Sequence, residues 1–267
     1  RFDGDGIEVS GTASAVIRGN YIGTDADGTA IAGNGGWGLE ILSNNNTIGG
    51  AAPGDRNVIS GNAEDGIKVD GSSGSASGNV IQGNYIGTDR TGTVGLGNAY
   101  VGVWLNNADG NTIGGAGLGE GNVISANGFT GINAPWHGIL LGNDSDSNVI
   151  QGNYIGTDAT GLVGLGNAFA GLEINAGSDG NLVSGNVIAD NGEDGIVLWD
   201  ASANVIRSNL IGTDKTGAPL GNARYGVWIT EAQDNTVGGT ASGDGNVIAW
   251  SGQAGIRIDN DNGTGPT

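Results

Sequence analysis

The chain has 267 residues, 57 of them glycine, with no cysteine, no methionine and a net charge of −19 that leaves only nine Lys and Arg. Such an excess of carboxylates excludes a nucleic-acid footprint, disfavours anionic membrane surfaces and repels acidic polysaccharides unless a cation bridges them. No apolar run approaches the ~18 residues of a bilayer span, disulfide and thiolate chemistry are absent, and no sustained 3.6-residue apolar period announces a helix.

In chain order, the opening segment Gly4-Asp5-Gly6-Ile7-Glu8-Val9 reads as a short strand. The pattern Asn, aromatic or Leu, Ile, Gly, Thr, Asp then appears four times, at Asn20, Asn84, Asn153 and Asn209, with spacings of 64, 69 and 56 residues. The chain is therefore an array. Each long unit divides again, because Asn46, Asn79, Asn111, Asn148, Asn181, Asn204 and Asn235 open one Asn-x-apolar triplet, with Ala15 in the equivalent place. A second triplet opens at Asn20, Asn57, Asn84, Asn122, Asn153, Asn186, Asn209 and Asn246, and a Gly-apolar-x-apolar segment such as Gly66-Ile67-Lys68-Val69 follows it. The basic coil thus runs 23 to 37 residues and holds three short strands of period-two alternation.

Strands this short bury a face only by pairing with the same strand one coil later, which predicts an all-β parallel solenoid of about eight full coils, roughly 40 Å long at strand spacing. Its inward columns are Ile17 to Val237 for the first strand, Ile22 to Ile248 for the second, and Ile7, Leu39, Ile67, Val103, Ile139, Leu172, Ile196, Val227 and Ile256 for the third. The repeated asparagines are expected to form ladders at the corners, each amide donating to one neighbour and accepting from another. Asp25, Asp89, Asp158 and Asp214 align with Asn62, Asn127, Asn191 and Ser251, which predicts carboxylates alternating with neutral donors; they read as turn residues and as secondary candidates for Ca²⁺. The eight- or nine-residue excursions after them, carrying Leu96, Leu165 and Leu220, are expected to cover an outward stripe of Tyr21, Tyr85, Tyr154 and Leu210 alternating with valines.

The run Asn57-Val-Ile-Ser-Gly-Asn62 followed by segments such as Asp194-Gly-Ile-Val-Leu198 resembles the right-handed parallel β-helix repeats of the pectin-lyase-like superfamily, over nearly the whole chain. The resemblance implies the fold but no single activity, since that superfamily holds lyases, hydrolases, epimerases, tailspikes and surface proteins. Its lyases imply acidic Ca²⁺ ligands with a basic residue, and its hydrolases clustered Asp with Gly-His-Gly. Neither set is spelled here: Lys68 and Lys215 stand singly, and the lone histidine, His137, sits in Ala134-Pro135-Trp136-His137-Gly138 beside an insertion at 127–136. Outward carboxylates are Glu8 and Glu40, with Glu64, Asp65, Glu193 and Asp194 ahead of the third strand.

His137 is the catalytic candidate by default. Trp37, Tyr100, Trp136, Phe169 and Tyr225 at the corner entering the third strand, with Trp104 and Trp228 outward on it, are the candidate contacts for a glycan or another protomer. Asn45, Asn143 and Asn262 head glycosylation sequons. Asp144-Ser-Asp146 and Asp259-Asn-Asp261 imitate the start of a Ca²⁺ loop but lack its glycine spacing. The expected organisation is one β-helix domain of four double coils (about 15–78, 79–147, 148–203 and 204–267) after a partial coil, 1–14. With no signal peptide and a first residue already within a third strand, the sequence reads as a mature or excised segment, self-associating end to end or flanked by further domains. The expected role is an extracellular or cell-surface acidic scaffold, a fibre or adhesin segment needing no cofactor beyond Ca²⁺, with enzymatic activity undecided and the balance against it. The alternative is a polysaccharide-active enzyme or carbohydrate-binding module.

Overall fold

The computed structural model describes residues 1–12, 14–128 and 136–259. Three parallel sheets of nine, eight and eight strands wind around one core as a right-handed parallel β-helix of about eight coils. The first sheet takes the strands from Val16–Ile17 to Thr236–Val237, and the second those from Tyr21–Ile22 to Val247–Ile248. The third takes Ile7–Val9, Leu39–Ile41, Ile67–Asp70, Val103–Asn106, Ile139–Gly142, Leu172–Asn175, Ile196–Trp199, Tyr225–Thr230 and Ala254–Asp259.

Register is set by the apolar columns. In the third sheet Ile67 pairs with Val103, Val103 with Ile139 and Ile139 with Leu172, so one buried branched side chain stacks on the next. The stiff χ1 of β-branched residues suits these columns, and each fully buried Ile or Val contributes roughly 2 kcal/mol. Within the stack the corner before the third sheet has no room for a side chain: a Cβ on Gly66 would lie 2.6 Å from the carbonyl oxygen of Gly102 and 2.8 Å from the Asn98 amide.

Each corner carries a buried asparagine ladder. Ahead of the first sheet, Asn46 Nδ2 donates to Asn79 Oδ1 (2.8 Å) and the column continues to Asn235. Ahead of the second, Asn84 donates to Asn122 (3.1 Å) and Asn122 to Asn153 (2.9 Å), while each side chain also donates to a main-chain carbonyl of the first-sheet strand one coil earlier, Ile48 for Asn84 and Ile81 for Asn122. The third ladder corrects the sequence alignment. Asn62, Asn127 and Asn191 pair with Asn34, Asn98, Asn167 and Asn222, the residues that end the excursions, and not with Asp25, Asp89, Asp158 or Asp214. The coil's register resumes only when the excursion closes, so the aspartate that opens the excursion lies outside the column.

The excursions are hairpins, closed by bridges such as Thr88 to Gly95 and Thr157 to Gly164. Their turn glycines sit on the tyrosine stripe: Gly92, at φ +71°, would place a Cβ 2.8 Å from the Tyr85 ring, and Gly161 one 2.8 Å from Tyr154. Successive hairpins also bond to one another, Arg90 N to Gly28 O (2.8 Å), Ala159 N to Gly92 O (2.8 Å) and Lys215 N to Gly161 O (3.0 Å). They form a fourth layer that repeats every second coil. No helix among the described residues is long and apolar enough to cross a membrane.

Candidate functional site

The outer face of the third sheet is where the repeat stops repeating. Two columns build it: the residue before each corner glycine (Asp5, Trp37, Asp65, Val101, His137, Ala170, Asp194, Tyr225) and the outward residue of each strand (Glu8, Glu40, Lys68, Trp104, Leu140, Glu173, Val197, Trp228, Arg257). Where the first column holds aspartate, the carboxylate accepts the main-chain N–H of the next coil: Asp5 from Trp37 (2.9 Å), Asp65 from Val101 (2.8 Å) and Asp194 from Tyr225 (2.8 Å). Burial pushes Asp65 up to about 7 against the pull of the Val101 N–H, and burial likewise raises Asp194 against its bonds from Arg224 and Tyr225.

Lys68, alone in the sequence, is crowded in the structure. Its ammonium lies 2.8 Å from Asp70 and 3.5 Å from Glu40, and 4.2 and 5.3 Å from the ring centres of Trp37 and Trp104. Burial would raise the Asp70 carboxyl, but its bonds from Lys68 and Ser72 hold it at about 2. One coil on, Tyr100 stacks on Trp136 with centroids 4.3 Å apart. Beside them His137 is buried, its ring edge-on to Phe169 at 5.5 Å and its Nε2 3.2 Å from Glu173 Oε2. Burial lowers His137 to about 3, so the imidazole is neutral at physiological pH, and burial raises Glu173 against the amide bond that Asn175 donates to it. Further along, Arg224 bridges Asp194 (2.7 Å) and Glu193 (3.4 Å) over the rings of Tyr225 and Trp228, and Arg257 pairs with Asp259 and the Tyr225 hydroxyl.

All seven aromatic candidates thus lie on this face, in three clusters and not one continuous file: Trp37 with Trp104 about Lys68, Tyr100 with Trp136 next to His137 and Phe169, and Tyr225 with Trp228. Sequence reasoning did not single out Glu173. The signal was available, because it fills the outward column one coil beyond His137. Glu64 and Asp65 do not meet Glu193 and Asp194, being four coils away along the third sheet.

The four turn aspartates fold back on their own hairpins. Asp25 accepts the N–H groups of Thr29 and Ala30, which lower its pKa, and Asp158 accepts those of Leu162 and Val163 as well as the Thr160 hydroxyl. Among the described residues no group of three or more His, Asp or Glu side chains gathers as a metal site. Asn45 and Asn143 are exposed, the latter donating to Asn106; Asn262 and most of the insertion at 127–136 lie outside the described residues. A separate shallow groove of about 690 Å³ crosses the second sheet, floored by Tyr85, Val123 and Tyr154, with Arg56 over Tyr85, and Arg56 is its only charged lining residue.

The fold and this face describe a β-helix with one chemically elaborated side, and the comparisons agree on the fold. The family described as right handed beta helix region matches residues 115–265, and the chain belongs to it. Among solved structures, a mutant of the periplasmic alginate epimerase AlgG is similar over 96% of this chain and 60% of its own, at 15% identity and a TM-score of 0.56. AlgG itself is similar over 94% and 60%, at 16% and 0.51, and the Dettilon tailspike protein over 95% and 55%, at 17% and 0.47. At these identities the likeness is one of fold, and the chain spans about 60% of the epimerase's length. No curated protein sequence matches it.

Proposed function

We propose that the protein is an exported β-helical scaffold whose third-sheet face binds a polysaccharide lying along the rod. The observation that carries this is the gathering of the paired aromatic rings on one outer face, in three clusters interspersed with polar groups. Sugar rings stack on such surfaces through their C–H faces, and half-buried Trp and Tyr provide rigid platforms. The tyrosines of the second sheet lie beneath the hairpin glycines, and the outward residues of the first sheet, such as Val80, Gln82, Thr112, Val149 and Gln151, include no ring.

Binding is favoured over turnover by how the carboxylates are engaged. Glu40 and Asp70 pair with Lys68, Glu173 with His137 and Asn175, Asp194 with Arg224, and Asp259 with Arg257. A protein that acts on a polysaccharide has a precedent in the fold, since AlgG is an alginate epimerase. Affinity electrophoresis and calorimetry against a glycan array test the proposal: retention lost in Trp37→Ala and Trp104→Ala supports it, and an array with no binder defeats it. New reducing ends or unsaturated products in the same mixtures would replace a binding scaffold with an enzyme.

A further inference from the structure

Resting on that reading, we infer that the bound polysaccharide is uncharged, and that Trp104, Trp136 and His137 are the residues that read its hydroxyl or acetamido groups. Eight side-chain polar atoms among the described residues are buried with no partner, and three are ring nitrogens on this one face: Trp104 Nε1, Trp136 Nε1 and His137 Nδ1. They belong to two successive coils, since Trp104 pairs in register with Leu140, three residues beyond His137. A buried polar atom without a partner costs about 1–3 kcal/mol, so three together just beneath one outer face mark where a ligand that draws these rings outward would supply the missing partners.

The chemistry of the three narrows the ligand. Both indoles donate. The imidazole is neutral, and its Nε2 lies 3.2 Å from Glu173 Oε2; the tautomer that carries the proton on Nε2, facing that carboxylate, leaves Nδ1 as an acceptor. Two donors and one acceptor, set beside the Tyr100–Trp136 stack, match hydroxyls, which both donate and accept, or an acetamido group, which offers a carbonyl and an N–H.

Charge excludes the acidic polymers. The cations of this face are Lys68, Arg224 and Arg257, and all are paired with carboxylates. Glu40, Asp70, Glu173, Glu193, Asp194 and Asp259 outnumber them, on a chain of net charge −19. A uronate or sulfated chain would meet uncompensated like charge here.

The test compares a soluble β-glucan, a galactomannan and N-acetylglucosamine oligomers with alginate and polygalacturonate, each at roughly 50 and 500 mM NaCl so that screening is varied. Binding by an uncharged glycan, with affinity unchanged by salt, is the expected result. Trp104→Phe and Trp136→Phe keep a ring and remove the donor; each is expected to weaken binding about 5- to 10-fold, the scale of one hydrogen bond, with circular dichroism unchanged and Tm not lowered. Tightest binding by alginate or polygalacturonate, or full affinity in both Phe variants, overturns the inference while leaving polysaccharide binding standing. Silence across the whole panel overturns the binding function and the inference together.

Discussion

The asparagine corners and the outer face of the third sheet use polar side chains in opposite ways. In the second ladder each mid-column amide repeats the same pattern, donating to one neighbour and accepting from another, and across the first ladder only the Asn111 amide nitrogen is left without a partner, so polar groups are buried with no net charge and almost none is left over. On the third-sheet face the outward column changes from coil to coil after the Glu8–Glu40 pair: Lys68, Trp104, Leu140 and Glu173 follow one another. There the polar groups are charged, the pKa values are displaced, and ring nitrogens remain unpaired. The difference teaches that a solenoid secures its stability from what is identical between coils and its chemistry from what is not.

Four measurements break or sharpen that contrast. The largest effect is expected from Asn122→Ala, in mid-ladder. It strips acceptors from the Asn84 main chain and side chain and donors from Ile81 O and Asn153 Oδ1, and should cost about 3–5 kcal/mol in urea unfolding. A loss below about 1 kcal/mol would mean that the ladder is ornamental. Next is the pH dependence arising from Asp65. Its folded pKa of about 7 exceeds the ordinary 3.8, so between these values the folded state holds a proton that the unfolded chain releases, and stability falls as pH rises across that window. Asp65→Asn should flatten that slope and raise stability at pH 8 by on the order of 2–4 kcal/mol. Asp70 acts with the opposite sign: its contribution, present above about 4, is lost as pH falls towards 2.

Third, Trp104→Ala should weaken glycan binding at least about tenfold, near 1.4 kcal/mol, and move Tm less than Asn122→Ala does, because its ring is only half-buried. Equal losses of stability in the two variants would erase the distinction between face and corner. Smallest is the hairpin aspartate: Asp158→Ala forfeits the bonds to Leu162, Val163 and Thr160 and should cost about 1 kcal/mol. EDTA should leave the Tm of the native chain in place, and a marked fall on chelation would assign these turns to Ca²⁺ after all.

The fold was legible because period-two β-branched columns and recurring Asn and Gly positions are local signals that survive one-dimensional reading. The third ladder was misaligned for a physical reason: Asp25 stands where a ladder residue would, and Asn34 reaches the column only after the hairpin has left and returned. At the site, the aromatic residues were visible as departures from the repeat. The Lys68 cluster and the His137–Glu173 pair were not, because each depends on the lateral offset between one coil and the next. Thirty-six residues separate His137 from Glu173 in sequence, and only following the outward column beside the inward one, Leu140 to Glu173, brings the second within reach of the first.

The fourth layer made by the hairpins has a consequence for how such a molecule changes length. Arg90, Ala159 and Lys215 each reach back across an intervening plain coil to the hairpin before, to Gly28, Gly92 and Gly161. Removing or duplicating a single coil would set a hairpin against a neighbour with no hairpin to receive it and lay bare the tyrosine beneath. Adding or deleting two coils leaves every such contact intact. Viable length variants of this chain are therefore expected to differ by even numbers of coils, as a zip with teeth on alternate links shortens only in pairs.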